Sequence, residues 1–207
     1  MKTEFEQVLP EDIEKRSFEI ITQILGDKQI PPENEAVLKR VIHTSADFDY
    51  YDNLVFSEGA AAEGLKALRS GASVFTDTQM AKAGINKKKL AEFGGEAVCY
   101  IADEDVAENA KAAKTTRAAA AVNKSAGLDN LIYAIGNAPT ALARIYELVC
   151  EGVIKPKLII GVPVGFVNVI ESKELILKLD CPFIVAKGRK GGSNVAAAVC
   201  NALLYQL

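Results

Sequence analysis

Apolar positions along this 207-residue chain fall into two rhythms. Over 11–25, Ile13, Phe18, Ile20, Ile21, Ile24 and Leu25 form a broad helical stripe that ends at Gly26, which predicts a helix. Pro31-Pro32 opens a second helix over 33–43, because proline suits a first helical turn. On it Arg40 and His43 stand three apart and project from one side. Residues 50–56 read as a connector or an edge strand, and 58–69 as helix. Short apolar runs then alternate with helical stretches. Strands are predicted at 73–76, 97–101, 130–135, 158–161 and 183–186, and helices near 78–83, 87–93, 104–124, 140–151, 173–178 and 194–205. Strands separated by single helices imply right-handed parallel crossovers and a sheet covered on both faces. The expected fold is α/β: a flavodoxin-like, three-layer α/β/α arrangement with a five-stranded, mainly parallel sheet in the order 2-1-3-4-5. One domain over 1–207 is expected, with a helical extension and connector over 1–56 and a doubly wound body over 57–207.

Composition narrows the function classes. Hydrophobic residues make up 49% and charged residues 25%, with a net charge of −3. No global positive field draws the chain to nucleic acid or an anionic membrane, so an anionic ligand has to be held by local basic groups. The cysteines, Cys99, Cys150, Cys181 and Cys200, are dispersed, and with a single histidine they leave too few ligands for a zinc site. Three of the four fall in apolar surroundings and read as small buried hydrophobes. The charged opening, residues 1–7, is unlike a signal peptide. The longest apolar run, 158–170, is interrupted by Gly161, Pro163, Gly165 and Asn168 and is too short to cross a bilayer. A cytoplasmic protein is expected.

In open α/β sheets a ligand sits beyond the carboxyl ends of the strands. Those ends carry Thr76-Asp77-Thr78, Ala102-Asp103, Gly136-Asn137-Ala138-Pro139, a stretch from Gly161 to Phe166, and Lys187-Gly-Arg-Lys-Gly-Gly-Ser193. The last is a glycine-rich basic loop entering a helix, where free amides, the helix end and the basic side chains favour an anion. It equally suits a helix entry with solvated charges. Thr115-Thr116-Arg117 interrupts an alanine-rich stretch. It reads either as a surface arginine or as two hydroxyls and a guanidinium presented to a carboxylate. Gly161 and Gly165, with Pro163 between them, suggest a flat apolar wall close to a ligand. His43 lies among Arg40, Thr44, Ser45 and Asp47, and histidine alone titrates, unperturbed, near neutrality. A capping or surface histidine is the plain alternative. The chain lacks Gly-x-Ser-x-Gly, a Walker loop and a dinucleotide fingerprint. What remains is proton-driven chemistry on a bound anion.

Taken together and in order, six motifs resemble the precorrin-8X methylmutase family, whose anaerobic-route members act on cobalt-precorrin-8. They are Val41-Ile-His43-Thr-Ser-Ala-Asp47-Phe, Asp77-Thr-Gln-Met-Ala-Lys-Ala-Gly84-Ile, Thr116-Arg117-Ala, Ala134-Ile-Gly-Asn-Ala-Pro-Thr-Ala-Leu142, Gly161-Val-Pro-Val-Gly-Phe-Val-Asn168 with Glu171-Ser-Lys-Glu174, and Lys187-Gly-Arg-Lys-Gly-Gly-Ser193. The resemblance implies an isomerase of corrin (vitamin B12) biosynthesis. Such an enzyme moves a methyl group from C11 to C12 of the macrocycle, a [1,5]-sigmatropic shift giving hydrogenobyrinic or cobyrinic acid. It also implies a homodimer that needs no added cofactor, any cobalt belonging to the substrate. The family's catalytic histidine matches His43, Ser17 and Arg40 fall at substrate contacts, and Arg117 grips a peripheral carboxylate. Thr116, Gly165, Phe166, Lys187, Arg189 and Ser193 complete the expected substrate-binding set, with Arg16 as a further basic group. Asn168-Val169-Ile170 departs from the family, where small residues often precede Glu-Ser-Lys. The competing class is a non-catalytic corrinoid carrier on the same scaffold, which would bind product and leave the substrate spectrum unchanged.

Overall fold

The protein is described by a computed structural model covering residues 6–207. The reading of the charged opening therefore falls in part, over 1–5, outside the described residues. A 3-10 turn at Pro10–Asp12 leads into α1 (Ile13–Leu25), followed by α2 (Pro32–Ser45), α3 (Tyr50–Asn53), β1 (Leu54–Phe56) and α4 (Ala60–Arg69). The body continues with β2 (Ser73–Thr76), α5 (Gln79–Gly84), α6 (Lys87–Glu92), β3 (Ala97–Val98), α7 (Glu104–Ala112) and α8 (Arg117–Ser125). It closes with β4 (Leu131–Ile135), α9 (Pro139–Cys150), β5 (Leu158–Gly161), α10 (Val169–Ile176), β6 (Phe183–Ala186) and α11 (Ser193–Leu204).

The sheet has six strands in the order β1-β6-β5-β4-β2-β3, not the five expected. The sixth comes from the ambiguous 50–56 stretch, which splits into one turn of helix and a short strand. β1 runs antiparallel to β6, pairing Leu54 with Ala186 and Phe56 with Ile184, while the other pairings are parallel. Every residue of β4, β5 and β6 is buried, as strands covered on both faces must be. Alternation sorts the side chains into two cores. Val74, Ile132, Ala134, Leu158, Ile160 and Ile184 meet α2, α4, α5 and α11. Phe75, Tyr133, Ile135, Ile159, Phe183 and Val185 meet α7, α8, α9 and α10. At about 25 cal/mol per Å² of apolar surface, this two-sided burial supplies the main driving force of the fold.

Two helical expectations and one strand need correction. The 104–124 stretch is two helices, because Lys114 takes φ 51° and the Thr115 N–H closes on the Ala110 carbonyl at 2.9 Å. Thr116 then caps α8, its hydroxyl accepting from the Ala119 N–H at 3.2 Å. The helix expected at 173–178 starts earlier, at Val169. The strand expected at 97–101 stops after Val98. Of the cysteines, Cys99 and Cys200 are buried, Cys181 is half-buried and Cys150 is exposed. No helix among the described residues is long and apolar enough to cross a membrane.

Candidate active site

Two contacts fix the orientation of α2. The Arg40 guanidinium lies 5.1 Å from the ring of Tyr205, just past the end of α11, while Asp47, just past the end of α2, pairs with Lys190 before the start of α11. α2 therefore runs antiparallel to α11, and its last turn, which carries His43, arrives at the edge where the parallel strands end. Ala46 stops the helix in the left-handed conformation, φ 54°, with its N–H on the Ile42 carbonyl.

His43 is exposed, and its ring centroid is 5.4 Å from that of Phe18 on α1. Phe18 also lies 4.8 Å from the Arg40 guanidinium, which is ion-paired with Glu14. Arg40 and His43 thus share one face, as their spacing predicts, with Phe18 placed between them by α1. The imidazole stands exposed on the last turn of α2, against Phe18. Ser17 is the neighbour of Phe18, and its hydroxyl donates to the Ile13 carbonyl at 2.8 Å. Arg16 pairs with Glu6 and Glu19. A cavity of about 410 Å³ bordered by Phe18, Glu35, Lys39, Arg40 and Tyr205 extends along α2 away from His43.

The loops after β5 and β6 form one unit. The Gly165 N–H donates to the Arg189 carbonyl at 3.2 Å, and the Gly192 N–H to the Val162 carbonyl at 2.8 Å. Arg189 returns a bond from Nη1 to the Phe166 carbonyl at 2.7 Å and stacks over the Phe166 ring at 5.7 Å. Arg189 therefore helps to shape the apolar wall through one of its guanidinium N–H groups. Phe166 is 82% exposed and Val167 78%, so that wall is open to a ligand. Ser193 is buried and shares a 2.7 Å hydrogen bond with the Thr78 hydroxyl, joining the start of α11 to the end of β2. Lys187 is exposed, its backbone N–H donating to the Asn53 carbonyl. Lys190 is committed to Asp47 and Asp49, each at 2.6 Å, which lashes this basic loop to the turn after α2. The bond from Lys190 holds the Asp47 carboxyl below the usual aspartate range.

A third group lies at the starts of α8 and α9. Arg117 is exposed, and the hydroxyls of Thr116 and Thr140 share a hydrogen bond of 2.7 Å. Beside them a cavity of about 310 Å³ is bordered by Pro139, Thr140, Ala143, Asn168, Glu171 and Leu175. Basic and hydroxyl groups suited to carboxylate arms are thus carried beyond the strand ends by separate segments.

Two buried charges escape a reading by motif. Asp77, 2% exposed, accepts the backbone N–H groups of Gly136, Asn137 and Ala138 at 2.9, 2.8 and 2.6 Å. Burial pushes its carboxyl above the usual range, against those three bonds. Gly136 has to be glycine, since a Cβ would lie 2.7 Å from the Ser193 Cα and 2.8 Å from the Gly192 carbonyl. Lys173, 1% exposed, donates to the carbonyls of Gly188 and Lys190 at 2.9 and 2.8 Å. Its signal was present: Val169, Lys173 and Ile176 share one helical stripe, which puts a lysine where an apolar residue belongs. Among the described residues, no cluster of His, Cys, Asp and Glu is arranged to hold a metal ion.

Over nearly its whole length the chain is similar to proteins of one family. The precorrin-8X methylmutase family model matches residues 12–206. The cobalt-precorrin-8 methylmutase of Priestia megaterium is 47% identical over 205 residues, covering 98% of this chain and 91% of its own. That of Salmonella typhimurium is also 47% identical, covering 96% of both chains. The solved structure of precorrin-8x methyl mutase from Thermus thermophilus superposes with a TM-score of 0.88 at 41% identity, over 94% of this chain and 95% of that one.

Proposed function

Because the chain belongs to the precorrin-8X methylmutase family, we propose that its rim of basic groups holds precorrin-8 or cobalt-precorrin-8 for methyl migration, with His43 as the acid. The protein is an isomerase of corrin biosynthesis that shifts a methyl group within one molecule. In the finer reading, the bond from the methyl to C11 breaks as its bond to C12 forms. The imidazolium of His43 lends a proton or hydrogen bond to a macrocycle nitrogen and recovers it as the product chromophore settles. No atom or electron is gained or lost overall, so the balance calls for no cofactor, and cobalt, where carried, is substrate. A positioned proton donor contributes about 10²–10⁴-fold in rate.

The observation that carries this reading is the placement of the lone histidine. A helix end, Phe18 and Arg40 hold it at the strand-end edge, beside the basic loop that Lys190 ties to the same turn. Arg117, Thr116 and Lys187 are read as grips for peripheral carboxylates, and Phe166 with Gly165 as the wall under the ring. Ser17 and Arg40 contact substrate in this reading from the α1–α2 side, while Ser193 and Arg189 act by holding the loops.

The five parallel strands, numbered without β1, succeed one another as 2-1-3-4-5, which supports a flavodoxin-like core. We read residues 1–207 as a single methylmutase unit working as a homodimer in the cytoplasm. The exposed Ile13, Ile20 and Ile24 of α1 support an association of that kind. Absorbance during incubation with precorrin-8 tests the function: conversion of the substrate spectrum supports it, and binding without conversion leaves only a carrier.

A further inference from the structure

We infer that Lys173 is a positioning residue that sets the shape of the basic loop over 187–192. This rests on the proposed reading of that loop as a grip for substrate carboxylates. Lys173 sits on α10, on the side turned to β5 and β6, and is 1% exposed. A buried ammonium has to spend its N–H groups on acceptors, or the desolvation is unrepaid. It finds the carbonyls of Gly188 and Lys190, at 2.9 and 2.8 Å, flanking Arg189 on both sides.

The geometry separates the loop's contacts into two sets. Arg189 between those carbonyls turns the opposite way, its own carbonyl accepting from Gly165 and its guanidinium bonding the Phe166 carbonyl. Lys190 reaches out to Asp47 and Asp49. Lys173 is thus the internal anchor of a segment whose outward side chains build the apolar wall and clasp the turn after His43. Without it, two part-buried carbonyls lose their charged donor, and the loop has reason to turn them toward water. Burial also brings the lysine down to about 8, so near neutrality it still carries the proton that makes both bonds charge-assisted.

Lys173→Met keeps the side-chain length and removes the donors, while Lys173→Gln keeps one donor group. Both are compared with the wild type by circular dichroism, by trypsin cleavage after Lys187, Arg189 and Lys190, and by KM and kcat with precorrin-8. The expected result is a folded Met variant cut at this loop roughly 10-fold faster, with KM raised roughly 10- to 100-fold and kcat changed much less. The Gln variant falls between. A folded Met variant with wild-type cleavage and KM overturns the inference. So does a loss of thermal stability with both readouts unmoved, which would leave only a packing role. Hydrogen exchange gives a further reading on the Gly192 amide, which donates to the Val162 carbonyl: it exchanges faster in a folded Met variant than in the wild type if the anchor holds, and at the same rate if it does not. A wild type that fails to convert precorrin-8 defeats the functional reading alone, since cleavage and exchange still decide the anchor.

Discussion

At the scale of single residues, exposure and commitment decide which groups are free to act. His43 is exposed and its ring rests on Phe18, so removing it forfeits little packing. His43→Ala is expected to stay within about 0.5 kcal/mol of the wild type in urea unfolding. Its turnover should fall by roughly 10²–10⁴-fold. Arg117 is likewise exposed. A charge-assisted bond to a carboxylate is worth about 1.5–3 kcal/mol, so Arg117→Ala should raise KM roughly 10- to 100-fold with an unchanged melting curve. An unmoved KM would remove Arg117 from the site. Arg189 looks similar in sequence, yet its guanidinium bonds the Phe166 carbonyl. That commitment was not legible, because a basic residue in a glycine-rich loop suits a ligand and a backbone carbonyl equally.

At the scale of elements, the account turns on how loops are pinned. Gly136 abuts the backbone at the start of α11, so Gly136→Ala should cost about 1–3 kcal/mol, read as a lower urea midpoint. The clasp between Lys190 and Asp47 gives a pH dependence whose sign follows from its lowered carboxyl. A carboxyl held below its unfolded value stabilises the fold above about pH 4, and that contribution is lost as pH falls through the folded value. The stability difference between wild type and Asp47→Asn should therefore be present at pH 6 and shrink towards pH 3. Strand positions were readable because β4, β5 and β6 are continuous apolar runs, and the helix of His43 because prolines open it. The break between α7 and α8 was hidden by alanines that propagate helix on either side of Thr116. The edge strand β1 was legible as one of two readings of 50–56, and what the sequence missed is the helical turn directly before it. The roles of Asp77 and Lys173 were not legible, although both stand in the quoted motifs, because a motif does not distinguish a charge that serves the backbone from one that serves a ligand.

At the scale of the whole molecule, the two layers of helices have different duties. α11 is nearly all buried between the sheet and α2, so the helix bearing His43 rides on a rigid support, while α8 and α9 carry Arg117 and Thr140 on the other side and α10 anchors the basic loop through Lys173. The exposed apolar face of α1 fits self-association, and sedimentation should give a mass twice the chain's 22.2 kDa. A monomer at micromolar concentration would argue against the homodimer. The most direct test of the central claim is the absorbance of precorrin-8 and of its cobalt form during incubation with wild-type protein and with His43→Ala. The account predicts that the wild type converts at least one of them to the product chromophore while the variant binds product and leaves substrate unconverted. Conversion by His43→Ala at the wild-type rate would contradict it.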